Sequence, residues 1–102
     1  MIIADIAIFP IGINGTELSK YASVAVEAIK KSKIKYNLTS MGTQIESESL
    51  NFIYEVIQSA QEAIFELGIG RVYTIIKVDD RRDISNKSME DKINSVNNLL
   101  NK

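Results

Sequence analysis

The chain has 102 residues, 45% hydrophobic and 25% charged, enough for one domain around one core burying roughly 60–70% of its unfolded surface. Twelve lysines and arginines against thirteen acids give a formal charge of −1, so the basic surplus of a nucleic-acid binder is missing. Cysteine and histidine are both absent, which excludes disulfides, thiolate chemistry, Ser-His-Asp and Cys-His triads, and the commonest metal ligand.

Residues 2–9 are short, β-branched and followed by Pro10, Gly12 and Gly15, the pattern of a strand running into a turn. Asp5 interrupts this stretch and no basic segment precedes it, so it does not read as a signal peptide. No run approaches the roughly 20 apolar residues that span a bilayer. The expectation is a cytoplasmic protein, in which the sequons at Asn14, Asn37 and Asn86 are chance matches. Thr16 can cap a helix over residues 17–32, with Leu18, Ala22, Ala25 and Ile29 on its apolar stripe. Two short strands, residues 35–39 and 43–46, flank Ser40, Met41 and Gly42 as a hairpin with glycine in its turn. Ser47 or Ser49 can cap the next helix, whose stripe of Leu50, Ile53, Ile57, Ala60, Ile64 and Leu67 stops at Gly68. Residues 71–79 alternate as a last strand, and Ser88 caps a final helix carrying Met89, Ile93, Val96 and Leu100.

The order β-α-β-β-α-β-α predicts an α+β fold: a ferredoxin-like sandwich of four antiparallel strands and two helices, with a third helix added at the C-terminal side. Residues 1–102 form a single domain in this reading. Both crossovers are right-handed. The first and third strands are expected to run parallel, with the second and fourth against them. That arrangement gathers Ser19, Tyr36, Glu46 and Arg71 at one end of the sheet, and Met41, Gly42, Thr43, Asp79 and Asp80 at the other. Two helices cover one sheet face. Phe9, Tyr73 and Ile75 fall on the other, beside Asp5 and Lys77, and an apolar open face suits an oligomer interface or a ligand cleft.

No spacing in the chain points to catalysis. The turn from Pro10 to Gly15 joins a strand to a helix but lacks the Gly-Lys-Ser/Thr of a phosphate loop and the three glycines of a dinucleotide fingerprint. Asp79, Asp80 and Asp83 are oxygen ligands in type, yet Arg81 and Arg82 between them favour ion pairs over a metal site. Tyr21, Tyr36, Tyr54 and Tyr73 are core or interface rings, any of which can stack on a flat ligand.

Several stretches taken together resemble the thiamine-binding protein family, small ferredoxin-like proteins that bind thiamine or its hydroxymethylpyrimidine part. They are Leu18-Ser19-Lys20-Tyr21, the hairpin from Tyr36 through Met41-Gly42-Thr43 to Glu46, the strand from Arg71 to Arg82, and Ser88-Met89-Glu90 with Lys92 and Val96. Ser47 departs from the pattern, since the family usually follows that glutamate with glycine. The resemblance implies a homo-oligomer, a dimer or a tetramer built from dimers, with no catalytic activity; the residues themselves lead to the expectation of no cofactor and no metal. It also implies a small-molecule partner, thiamine or a pyrimidine like it, while charge and hydropathy lead to the expectation of neither nucleic acid nor membrane. An aminopyrimidine needs hydrogen-bonding groups and an apolar wall, and a thiazolium favours a carboxylate or a ring face. Ser19, Tyr36, Met41, Thr43 and Glu46 are suitable types within the matched stretches and are the candidate ligand-binding residues. Glu46 is expected to recognise ligand, because a carboxylate there is not needed for strand propensity or capping. The alternative function is a structural or regulatory oligomer with a vestigial pocket and a protein partner.

Overall fold

Alternation along the first strand decides the layering. In the computed structural model, which describes residues 1–84 and 87–101, β1 (Ile2–Ile11) buries Ile2, Ala4 and Ile6 under the helices and turns Ile3, Asp5 and Ala7 the other way. It is followed by α1 (Ser19–Lys31), β2 (Lys35–Thr39), β3 (Gly42–Ser47), α2 (Leu50–Phe65), β4 (Arg71–Asp80) and α3 (Met89–Leu100). Asn86 of the third sequon lies outside the described residues. The strands form one sheet in the order β2-β3-β1-β4, antiparallel at every junction, which is the ferredoxin-like arrangement.

The strand directions correct one expectation. β1 pairs antiparallel with both β3 and β4, so β1 runs with β2, and β3 runs with β4. The physical reason is the crossover: α1 carries the chain back to the end where β1 began before β2 sets out, and the hairpin then reverses it. Ser19, Met41, Gly42, Thr43 and Arg71 therefore share the end where β1 finishes. Tyr36, Glu46, Asp79 and Asp80 share the opposite end.

The core lies between the sheet and two helices. Ile2, Ala4 and Ile6 of β1 and Ile45 of β3 meet Ala25 and Ile29 of α1 and Ile53, Val56, Ile57, Ala60 and Ile64 of α2. Full burial of each such aliphatic side chain contributes about 1.5–3 kcal/mol. Ser49 caps α2, its hydroxyl accepting from the Phe52 amide at 3.1 Å, and Gly68 ends the turn beyond α2 at φ +87°. Thr16 does not cap α1. The helix opens at Ser19 behind Leu18, too far along for the Thr16 hydroxyl to reach its first amides. β1 also continues through Pro10, because pairing with β3 stops at Ile6 and leaves a flank where a missing N–H costs no ladder bond.

Candidate functional site

At the end of the sheet where β1 finishes, α1 and the β2–β3 hairpin stand apart and leave a cleft of about 310 Å³. Its walls are Ile8 and Pro10 of β1, Leu18 just before α1, Ala22 and Val26 of α1, and Leu38 and Met41 of the hairpin, with Ile29 deeper in. Thr39, Ser40 and Thr43 add hydroxyls. Among the described residues, no charged side chain lines it. The volume sits at the small end of the range for small-molecule sites, and the mix of apolar walls and few polar groups is theirs as well.

Local geometry explains the shape of the hairpin wall. The Thr39 hydroxyl donates to the Gly42 carbonyl at 3.0 Å and closes the turn. A Cβ on Gly42 would stand 2.6 Å from the backbone oxygen of Ile6, so only glycine lets the hairpin lie this close to β1. Thr43, opposite Ile6 and only 6% exposed, points to the helix side of the sheet, while Met41 stands 84% exposed at the turn.

Of the five candidate residues, Met41 and Thr43 line the cleft, and Ser19 follows Leu18 at its rim. Tyr36 and Glu46 do not join them. Tyr36 opposes Ile45 and packs on the core near the other end. Glu46 is 5% exposed and faces the side of the sheet away from α1 and α2, between Lys35 and Ile3. The residues that sequence reasoning missed include Pro10, Leu18, Ala22, Leu38, Thr39 and Ser40. Ala22 was visible only as part of a helical stripe with Leu18, Ala25 and Ile29, the usual mark of core, and Leu18 also as part of the matched stretch Leu18-Ser19-Lys20-Tyr21.

The opposite end carries the charge. Lys35 Nζ lies 2.8 Å from Glu46 Oε1, an ion pair not aligned as a hydrogen bond, and donates to Glu90 of α3 at 2.6 Å. The Glu46 carboxylate, and then that of Glu90, hold the Lys35 ammonium above its ordinary pKa. Glu90 is lowered in turn, chiefly by Lys35. Across the sheet Lys92 of α3 pairs with Asp79. Ser88 and Asp91 close a capping box, with bonds of 3.0 and 3.2 Å, and the Ser88 amide holds Asp91 below its usual range. In the loop beyond β4, Arg82 grips Asp80 through bonds of 2.7–3.2 Å and Arg81 grips Asp83 at 2.9 and 3.2 Å. These are the ion pairs the alternating charges suggested, and they lower both aspartates.

A wider furrow of about 1070 Å³ runs between α1 and α2 past Glu27, Lys31, Glu55, Glu62 and Glu66. It is open to solvent and carries these charged side chains along it, a solvated helix surface rather than an enclosure. No helix is long and apolar enough to cross a membrane among the described residues.

Comparison with known proteins agrees with this architecture. The family model described as thiamine-binding protein matches residues 4–97. A UPF0045 protein of Methanothermobacter thermautotrophicus is 43% identical over 96 residues, covering 94% of this chain and 96% of that one. The UPF0045 protein YqgV of Bacillus subtilis is 43% identical over 104 residues, with 98% of each chain covered. Among solved structures, the hypothetical protein MJ1052 of Methanocaldococcus jannaschii superposes with a TM-score of 0.84 at 30% identity, covering 94% of this chain and 95% of the other. A Thermotoga maritima protein, proposed to act in thiamine biosynthesis or salvage, superposes at 0.75 with 18% identity over 93% of this chain and 97% of its own. At that identity the likeness speaks for the fold alone.

Proposed function

The chain belongs to the thiamine-binding protein family, and we propose that it binds thiamine or its hydroxymethylpyrimidine moiety, without catalysis, in the cleft between α1 and the β2–β3 hairpin. The observation that carries this reading is the uncharged lining of the cleft. A flat, neutral aminopyrimidine loses little by leaving water for such walls, provided its ring nitrogens and amine meet hydrogen-bonding groups. Thr43, Thr39 and Ser40 supply hydroxyls, the Met41 thioether can close over the ring, and Ser19 stands at the rim. The cationic thiazolium, if present, stays toward solvent, because no carboxylate lines the cleft to replace its hydration. None of the hydroxyls is accompanied in the lining by a base that would activate it, and this supports binding over turnover. In this reading Tyr36 and Glu46 serve the other end of the sheet.

The same reading makes the protein a cytoplasmic homo-oligomer assembled through the open sheet face, where Tyr73 is 54% and Ile75 51% exposed. That exposure also favours the second reading, an oligomer whose working partner is another protein. Calorimetry and thermal shift with thiamine and free hydroxymethylpyrimidine separate the two. Ligand at 100 times its dissociation constant should add about 2.7 kcal/mol of stability. Absence of both heat and shift with either compound would leave only the protein-partner reading.

A further inference from the structure

The third helix is joined to its own sheet at one end only. Its apolar stripe is Met89, Ile93, Val96 and Leu100, spaced for one helix face. Exposure climbs along that stripe from 6% at Met89 to 54%, 57% and 73%, with Leu99 beside it at 67%. Every anchor lies in the first turn: buried Met89, the pair of Glu90 with Lys35, and the pair of Lys92 with Asp79. The capping box fixes the start, and no basic residue steadies the last turn. A helix of 12 residues is marginal alone in water, so the far turns need something to pack on.

Their composition says what kind of surface that is. From Ile93 to Asn101 every polar residue is asparagine or serine, in a chain that is 25% charged overall. A helix face left in solvent usually carries lysine and glutamate, whereas the middle of a protein interface is depleted of charge.

We infer that the last turns of α3 form an arm that docks on the open sheet face of a second copy of the chain, the exchange being two-fold and mutual. This rests on the oligomer of the proposed function and names the element that makes it. The open face offers Ile11, Tyr73 and Ile75, each more than two-fifths exposed. The chain's own arm does not cover them. The cavity bordered by Ser95 and Val96 is walled by Met1, Ile3, Asp79 and Arg81, where β1 begins. Ala7 and Phe9, which pair with Ile75 and Tyr73, lie four and six residues further along β1, roughly 14–20 Å away. The molecule is accordingly drawn out, 49 Å in its longest dimension, with a radius of gyration of 15.2 Å against about 13 Å for a compact chain of this length.

A second copy is the occupant that fits. The exposed side chains of arm and face together offer roughly 700 Å², close to the 800 Å² or so that each partner gives to a standard interface. Each chain carries one arm and one receiving face, as a two-fold contact demands. The charges within that face, Lys77 and Asp5, already neutralise one another at 3.5 Å.

Light scattering at micromolar concentration tests the arm directly. The parent chain should run as a multiple of 11.4 kDa, and Val96→Asp with Leu100→Asp should at least halve its mass while α2 and the sheet keep their circular dichroism. Because the chain has no cysteine, a second test needs no background removal. Val96→Cys mixed with Ile75→Cys should form a mixed disulfide dimer under mild oxidation. A parent that is monomeric overturns both this inference and the oligomer beneath it. A parent oligomer indifferent to the aspartates, or a Val96→Cys/Ile75→Cys chain that closes its disulfide within itself, overturns the arm alone.

Discussion

At the hairpin end of the sheet, α1 and the β2–β3 turn enclose a space with no charged wall. At the far end, Lys35, Glu46 and Asp79 stand with Ile3 in one row across the four strands, and Glu90 and Lys92 of α3 pair with Lys35 and Asp79. The same strands build both ends, so the difference lies in which residues the alternation delivers to each face. An uncharged enclosure is suited to taking a neutral group out of water. A charged row is suited to holding a helix in register, since an ion pair fixes position even where it adds little stability. One end is open to a guest and the other is closed by the chain itself.

The strongest way to break this contrast is to change the floor of the cleft. Ile29 is 1% exposed, belongs to the core and borders the cavity. Ile29→Ala should lower stability by about 3 kcal/mol in urea denaturation, the usual cost of such a truncation in a core that cannot fully collapse. The enlarged cleft should bind hydroxymethylpyrimidine more weakly. Loss of stability with unchanged affinity would mean that the guest sits elsewhere.

Much of this contrast can be read from the residues, and the part that cannot has a common cause. The element order, the caps at Ser49 and Ser88, and the open face of Phe9, Tyr73 and Ile75 all follow from local pattern. What local pattern does not carry is separation in space. The stripe Leu18, Ala22, Ala25 and Ile29 reads as core because 3.6-residue periodicity reports a face and not its distance from the next layer. The hairpin opposite stands off from it at Leu38 and Met41, and the gap becomes a cleft. Glu46 likewise reads as a carboxylate free to meet a ligand at a strand end, whereas in the fold it is 5% exposed beside Lys35, which pairs in turn with Glu90 of α3, more than 40 residues later. The grouping of candidate residues failed on strand direction, which separates Ser19 from Glu46 and puts Ser19 with Met41 and Thr43 instead.

Glu46 offers the next, smaller test. In the charged row it is expected to be structural: a carboxylate 5% exposed, with Lys35 at 2.8 Å, outside the lining of the uncharged cleft. Glu46→Gln keeps the shape and removes the charge. With Lys35 half exposed and still paired to Glu90, the loss should be about 1 kcal/mol, or a fall of a few degrees in melting temperature. Affinity for thiamine should stay within twofold of the parent. A variant that melts like the parent but binds tenfold more weakly would restore Glu46 to ligand recognition and dissolve the division between the two ends.

The smallest effect is one of pH, and it should touch only one end. Lys35 holds Glu90 below the usual carboxylate range, the Ser88 amide does the same for Asp91, and Arg82 for Asp80. A carboxylate lowered by folding contributes its stability above the unfolded pKa, about 4, and loses it as pH falls through the lower folded value. Lys35 is raised, so its contribution is complete below about 10.4 and is lost only as pH climbs through the folded value above that. Between pH 5 and 8 the α3 clamp should therefore be constant, and acid below about pH 4 should loosen it. The uncharged cleft has no group titrating in that window. Hydrogen exchange, corrected for intrinsic rates, should show α3 amides losing protection between pH 6 and pH 3 while those of α1 beside the cleft keep theirs. Equal loss in both helices would mean that the charged row does not act as a local clamp, and that acid acts on the fold as a whole.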